Sequence, residues 1–177
     1  MKKILFRFSL RENKNRMVMM ADELDMLALR FFKLFAQYEF YMKSMGYFQV
    51  SRTKIIVDWD RFVNEKIGKD YAHLLGETLP SGEYILQNPP KKQEVVNGKV
   101  VWGNVSNNEQ NVQVLFGYIG RVRNNLFHGA KFNGTWFDPE RSKILLEHSL
   151  NILEHFQKQG VLGKVRISRS FLPKLTR

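Results

Sequence analysis

The sequence predicts an all-α fold, a four-helix up-and-down bundle with an inserted short β-hairpin or irregular segment at about 78–110. Three observations carry this reading. Apolar residues recur at three- and four-residue intervals in four separate stretches. Turn-forming proline, glycine and asparagine gather in the block that parts the second stretch from the third. No internal repeat or low-complexity tract points elsewhere, and 177 residues suit one domain with a real core.

The first helix is expected over 21–46. Leu24, Leu27, Phe31, Leu34, Tyr38, Met42 and Met45 form its apolar stripe, Ala28, Phe32 and Phe35 widen it, and Gly46 ends it. Glu39 falls within that wide face, where a carboxylate needs a cationic partner. A second helix is expected over 57–76, capped by Asp58 and closed by Gly76, with Trp59, Phe62, Val63, Ile67 and Tyr71 facing the core. Gly68 marks a potential break in it. Within 78–110, Leu79-Pro-Ser-Gly and Asn88-Pro-Pro-Lys-Lys92 read as turns rather than helix interior. Glu94 to Trp102 reads as a hairpin, with Asn97-Gly98 at the two positions that need positive φ. A third helix, 111–128, carries the stripe Val112, Leu115, Ile119, Val122 and Leu126. Asp138-Pro139 then opens a last helix over 139–158, as cap and first-turn proline, with Leu146, Leu150, Ile152, Leu153 and Phe156 facing inward.

Charge is unevenly spread. The net charge is +11, yet residues 17–157 balance 16 bases against 16 acids. The excess lies in residues 1–16, at +5, and residues 158–177, at +6. The chain therefore divides into a basic N-terminal segment (1–19), a neutral helical domain (20–158) and a basic C-terminal tail (159–177). Basic tails either touch a polyanion without sequence preference or remain solvated ends. The absence of cysteine removes disulfides, thiol catalysis and cysteine–zinc sites. No apolar run reaches membrane-spanning length, and the apolar stretch near the N-terminus is broken at Arg7, so a cytoplasmic protein is expected.

The chemistry concentrates in Arg121-Val-Arg-Asn-Asn-Leu-Phe-His-Gly129, at the end of the third helix. A guanidinium for phosphate charge, amides, and an imidazole for proton transfer are groups with which a phosphodiester can be cleaved without a metal. Arg123 projects within about 40° of the apolar stripe, whereas Arg121 and Asn124 project away. An arginine so directed must have a partner: either an ion pair with Glu39 or a phosphate. His128 alone is equally suited to capping helix carbonyls. His73, His148 and His155 lack metal-ligand spacing and read as surface or packing residues. Arg123 and His128 are about 140° apart on a regular helix. To act on one phosphate, the helix must distort or two copies must pool their groups about a two-fold axis. Lys91, Lys92 and Lys131 are further candidate RNA contacts, the first two near Trp102, although an ordinary surface hairpin explains them as well. No metal site and no cofactor are expected.

Arg123-Asn-Asn-Leu-Phe-His128, followed by Gly129, resembles the Arg-x(4–6)-His signature of HEPN domains, in the form with a polar residue after the arginine. The long first helix with an internal acid and the position of the motif late in the third helix extend the resemblance over roughly residues 20–158. The resemblance implies a dimeric helical bundle and a metal-independent endoribonuclease, as in toxin–antitoxin, abortive-infection and CRISPR defence. It implies that Arg123 stabilises the phosphorane-like transition state, that His128 moves a proton, and that Asn124 orients the phosphate or the histidine. Arg121, Glu39 and Asn125 are possible supporting residues. Attack by the ribose 2′-hydroxyl would leave a 2′,3′-cyclic phosphate, with RNA as substrate and an antitoxin or regulatory protein as a possible partner. The alternative is an inactive HEPN-like module that binds RNA, a nucleotide or a protein.

Overall fold

The computed structural model describes the backbone of residues 2–105, 109–128, 131–132, 135–136 and 138–163, and the side chains of 22–105, 109–127, 136 and 138–163. It is mostly helical. The longest element is α1 (Lys2–Ser44), which runs without a break through the basic N-terminal segment and the expected first helix. It is followed by a hairpin of β1 (Phe48–Ser51) and β2 (Lys54–Val57), then α2 (Trp59–Lys66), α3 (Tyr71–Leu75), a single 3₁₀ turn (Gly76–Thr78) and α4 (Leu79–Gln87). A second hairpin, β3 (Lys92–Val96) and β4 (Lys99–Gly103), leads to α5 (Val112–His128). The two-residue strands β5 (Lys131–Phe132) and β6 (Thr135–Trp136) then precede α6 (Pro139–Lys158). All three hairpins are antiparallel and separate from one another.

Two of the sequence expectations are corrected, and one element is added. The second helix is two short ones: Gly68, at φ +78°, stops α2, and α3 starts afresh at Tyr71. A residue in that left-handed conformation cannot continue a helix, and glycine reaches it at no steric cost. The segment from Leu79 is helix rather than turn, because Pro80 sits in its first turn, where no backbone N–H is needed. Gly82 there allows close packing: a Cβ on it would stand 2.8 Å from Leu75 Cδ1. The β1–β2 hairpin had no expectation behind it, since its turn uses Arg52 at φ +56° instead of an Asn-Gly pair. The β3–β4 hairpin turns at Asn97 and Gly98, with φ of 52° and 74°.

The core lies where α1, α5 and α6 meet and is closed by α2 and α4. Leu24, Phe31, Leu34, Phe35, Tyr38 and Met42 of α1 are buried, whereas Phe32 and Met45 stay exposed. The α5 stripe is buried from Val112 to Val122, and the inward face of α6 is buried throughout. Trp59 of α2 lies 4.9 Å from the Phe35 ring and 6.0 Å from those of Tyr38, Phe62 and Phe116, joining α1, α2 and α5 in one aromatic cluster. Tyr38 donates its hydroxyl to the Leu153 carbonyl at 2.6 Å, and burial pushes its phenol pKa well up. Asp58 caps α2 by accepting from the Arg61 backbone at 3.0 Å; its bond from Gln49, at 2.8 Å, then the cap itself hold its carboxyl below its usual range. Asp138 caps α6 in the same way. His148 stacks on Tyr84 at 4.3 Å with Nδ1 3.0 Å from Ser81 Oγ, and His155 Nε2 lies 2.7 Å from the Leu74 carbonyl, so both act in packing.

Two outcomes follow from this packing. Tyr38→Phe should lower stability by about 1–2 kcal/mol through loss of the buried hydrogen bond, read from urea unfolding. Burial lowers the His148 pKa below its usual 6.5, so the fold favours the neutral ring. The unfolded chain protonates this histidine first, and stability should fall as pH drops below about 6.5, levelling off once the folded pKa is passed. His148→Gln should remove that component from the pH dependence of the unfolding midpoint.

Candidate functional site

The candidate residues sit on the last two turns of α5, which divide into two unlike sides. On one side stand Arg123, Asn124 and Phe127. The Arg123 guanidinium carbon lies 5.0 Å from the Phe127 ring centroid and 6.0 Å from that of Phe35. Its Nη1 donates to Asn124 Oδ1 at 3.1 Å. Aromatic faces hold the flat of the guanidinium by cation–π attraction and leave its edge donors pointing outward. Phe32 of α1 lies 5.4 Å from Phe127, and the two rings are 44% and 52% exposed. The arginine therefore stands in an open aromatic rim rather than in the core.

The ion pair with Glu39, one of the two partners the sequence offers Arg123, is absent. Glu39 Oε2 lies 3.6 Å from Lys43 Nζ, one turn further along α1. Among the described residues, no carboxylate pairs with Arg123. The partner demanded by its direction is supplied by aromatic rings, which a helical wheel does not display. The cation thus keeps its capacity for an anion.

The other side of α5 is occupied by the chain's own backbone. Arg121 Nη1 makes a long contact of 3.5 Å to the Pro90 carbonyl, and its guanidinium carbon stands 5.3 Å from the Tyr118 ring. Asn125 Nδ2 donates to the Lys91 carbonyl at 3.0 Å, and Arg141 of α6 donates to the Pro89 carbonyl at 2.9 Å. Two prolines leave the 89–91 stretch poor in N–H donors, yet its carbonyls still need partners beside the helices. Arg121 and Asn125 meet that need. They are structural residues here, which leaves Arg123 as the arginine open to a phosphate.

His128 is the last residue of α5, and the helix is regular up to it. Its side chain, Gly129 and the side chain of Lys131 lie outside the described residues. Lys92 is exposed and pairs with Glu94 at 3.6 Å. Lys91 and Trp102 line the same cavity, across α5 from Arg123. The structure thus unites Arg123 with Asn124 and separates both from Lys91. Sequence reasoning overlooked Phe35 and Phe127 as the cradle of Arg123, with Phe32 beside Phe127. The available signal was Phe127, which follows the stripe residue Leu126 at one turn from Arg123.

Among the described residues, no group of three or more His, Asp or Glu side chains has metal-binding geometry, and no helix is long and apolar enough to cross a membrane. No protein-family model matches the chain, and no curated protein or solved structure is similar to it at a significant level.

The two sides of α5 should respond differently to truncation. Arg123→Ala should cost less than about 1 kcal/mol, the value of a cation–π contact at a partly open site. The double change Arg121→Ala with Asn125→Ala should cost more, about 1–3 kcal/mol, by stranding carbonyls of the 89–91 stretch. Chemical unfolding of both variants checks the order; the reverse order would make Arg123 a scaffold residue.

Proposed function

We propose that this chain is a metal-independent endoribonuclease of the HEPN type that cleaves RNA by 2′-hydroxyl attack and serves as a toxin or anti-phage effector. The observation that carries this reading is the state of Arg123. It is cradled by Phe35 and Phe127 and steadied by Asn124. It has no carboxylate partner among the described residues, and it lies five positions before His128. A buried ion pair would have favoured a scaffold, and Glu39 is engaged with Lys43 instead. In this reading, α1, α5 and α6 are three helices of a HEPN-like four-helix bundle, and the shorter α2 and α4 together take the place of the fourth.

The mechanism follows from the groups available. The ribose 2′-oxygen attacks the adjacent phosphorus and gives up its proton as the bond to the 5′-oxygen breaks. The 5′-oxygen leaves with a proton, and the products are a 2′,3′-cyclic phosphate and a 5′-hydroxyl. Arg123 neutralises charge on the equatorial phosphoryl oxygens, and His128 carries one of the two proton transfers. DNA lacks the nucleophile and is spared.

Because α5 stays helical through His128, the separation of about 140° between the two motif positions persists. This favours the composite arrangement, in which a homodimer brings Arg123 of one copy towards His128 of the other. The exposed rings of Phe32 and Phe127, beside Arg123, provide apolar surface next to the motif for such a contact.

The test is purified protein with labelled RNA in EDTA, beside Arg123→Ala, His128→Ala and a matched DNA oligonucleotide. RNA should be cut to cyclic-phosphate ends and DNA left intact. Each substitution should reduce the rate by at least about 10²-fold, with the oligomeric state retained. Intact RNA across a broad substrate panel would move the assignment to a binding module.

A further inference from the structure

We propose that the cavity between α5, α6 and the base of the β3–β4 hairpin is a binding site for a small planar aromatic anion. It offers about 270 Å³, just below the usual range of about 300–1,000 Å³ for small-molecule pockets. Its floor is apolar and continuous with the core: Val122 and Leu126 from α5, Leu145 and Leu146 from α6. Trp102, 38% exposed at the end of the hairpin, supplies one wall and a face for stacking. An apolar floor beneath an indole wall suits a flat ring better than a flexible chain.

The polar groups set the ligand's charge. Lys91 and Arg141 line the cavity with a single carboxylate, Asp138. One oxygen of Asp138 already accepts from the Arg141 backbone at 3.3 Å, as the cap of α6. Arg141 is fixed by its bond to the Pro89 carbonyl, which spends one donor of five. Asn125, anchored through Nδ2 to the Lys91 carbonyl, has its Oδ1 unused by any described partner. Two cations against one engaged carboxylate favour an anion, and the fixed Asn125 amide can read a polar ring edge. A carboxylate or a phosphate on the ring would satisfy this chemistry equally.

The site is distinct from the Arg123 rim. Val122, Asn125 and Leu126 are turned by about 60–160° from Arg123 and Phe127 on α5. The inference therefore does not depend on the nuclease reading.

Calorimetric titration of the full chain tests it, with indole-3-carboxylate and 5′-AMP as the two aromatic anions, and neutral indole and inorganic phosphate as the partial ligands. At least one aromatic anion should bind saturably, and both partial ligands should bind at least about tenfold more weakly. Trp102→Ala and Lys91→Glu, both at exposed positions, should each weaken binding about tenfold or more without unfolding the chain. Arg123→Ala should leave the affinity for indole-3-carboxylate, which carries no phosphate, unchanged. No saturable binding of either anion, neutral indole binding equally well, or affinity untouched by Trp102→Ala would each overturn the proposal.

Discussion

The structure rests on one aromatic cluster, and Trp59 is its centre. The indole touches Phe35 and Tyr38 of α1, Phe62 of its own helix and Phe116 of α5, and Phe116 reaches on to Phe156 of α6 at 5.9 Å. Few side chains cover as much apolar area as these, and tilted or edge-on rings add to the gain from burial. Because α2 is short and ends at Gly68, it cannot hold its place by length. It is held by Trp59 and Phe62, both delivered inward by the Asp58 cap one residue ahead of the helix. The cluster also fixes how α5 sits against α1. Phe35 belongs to the cluster and to the cradle of Arg123 alike, so the candidate site inherits its geometry from the core.

The sequence was legible where a local chemical signal coincides with the final structure. Asp138-Pro139 sets the start of α6, because a capping carboxylate and a proline lacking N–H agree with the same first turn. Asn97-Gly98 sets the β3–β4 turn, because few other pairs adopt two successive positive φ values. Legibility failed where tertiary contact overrides local preference. Leu79-Pro-Ser-Gly carries turn residues, yet burial of Ser81, Gly82, Ile85 and Leu86 against the core makes helix the better state. Arg52 takes a left-handed conformation, which the two paired strands on either side of it impose.

The candidate site was legible in its residues and not in their partners. A helical wheel gives direction without distance, so it placed Glu39 and Arg123 on facing surfaces and suggested a bond between them. The i,i+4 neighbour Lys43 was closer at hand for Glu39, and aromatic rings met Arg123. The wheel also assigned Arg121 to the outside. That side of α5 is covered by the proline-rich stretch 89–91, whose carbonyls Arg121, Asn125 and Arg141 engage. Such a covering segment comes from sequence positions some thirty residues away and leaves no periodic trace on the helix it covers.

These two facts together give α5 its character. One face is tied down at two backbone carbonyls, those of Pro90 and Lys91, and the other carries an arginine whose only described side-chain contacts are rings and one amide. A guanidinium without a carboxylate beside it keeps nearly all of its attraction for an incoming phosphate, while the tie on the far face stops the helix from rotating to bury it. Rigid support opposite an unpaired cation is what preorganisation requires. The same rigidity bears on the histidine. With α5 helical through its last residue, the backbone positions of Arg123 and His128 stay about 140° apart around its axis. In the proposed nuclease, a phosphate shared by both motif positions calls for a second helix end, and the simplest source of one is another copy of this chain, related by a two-fold axis close to the Phe32–Phe127 rim.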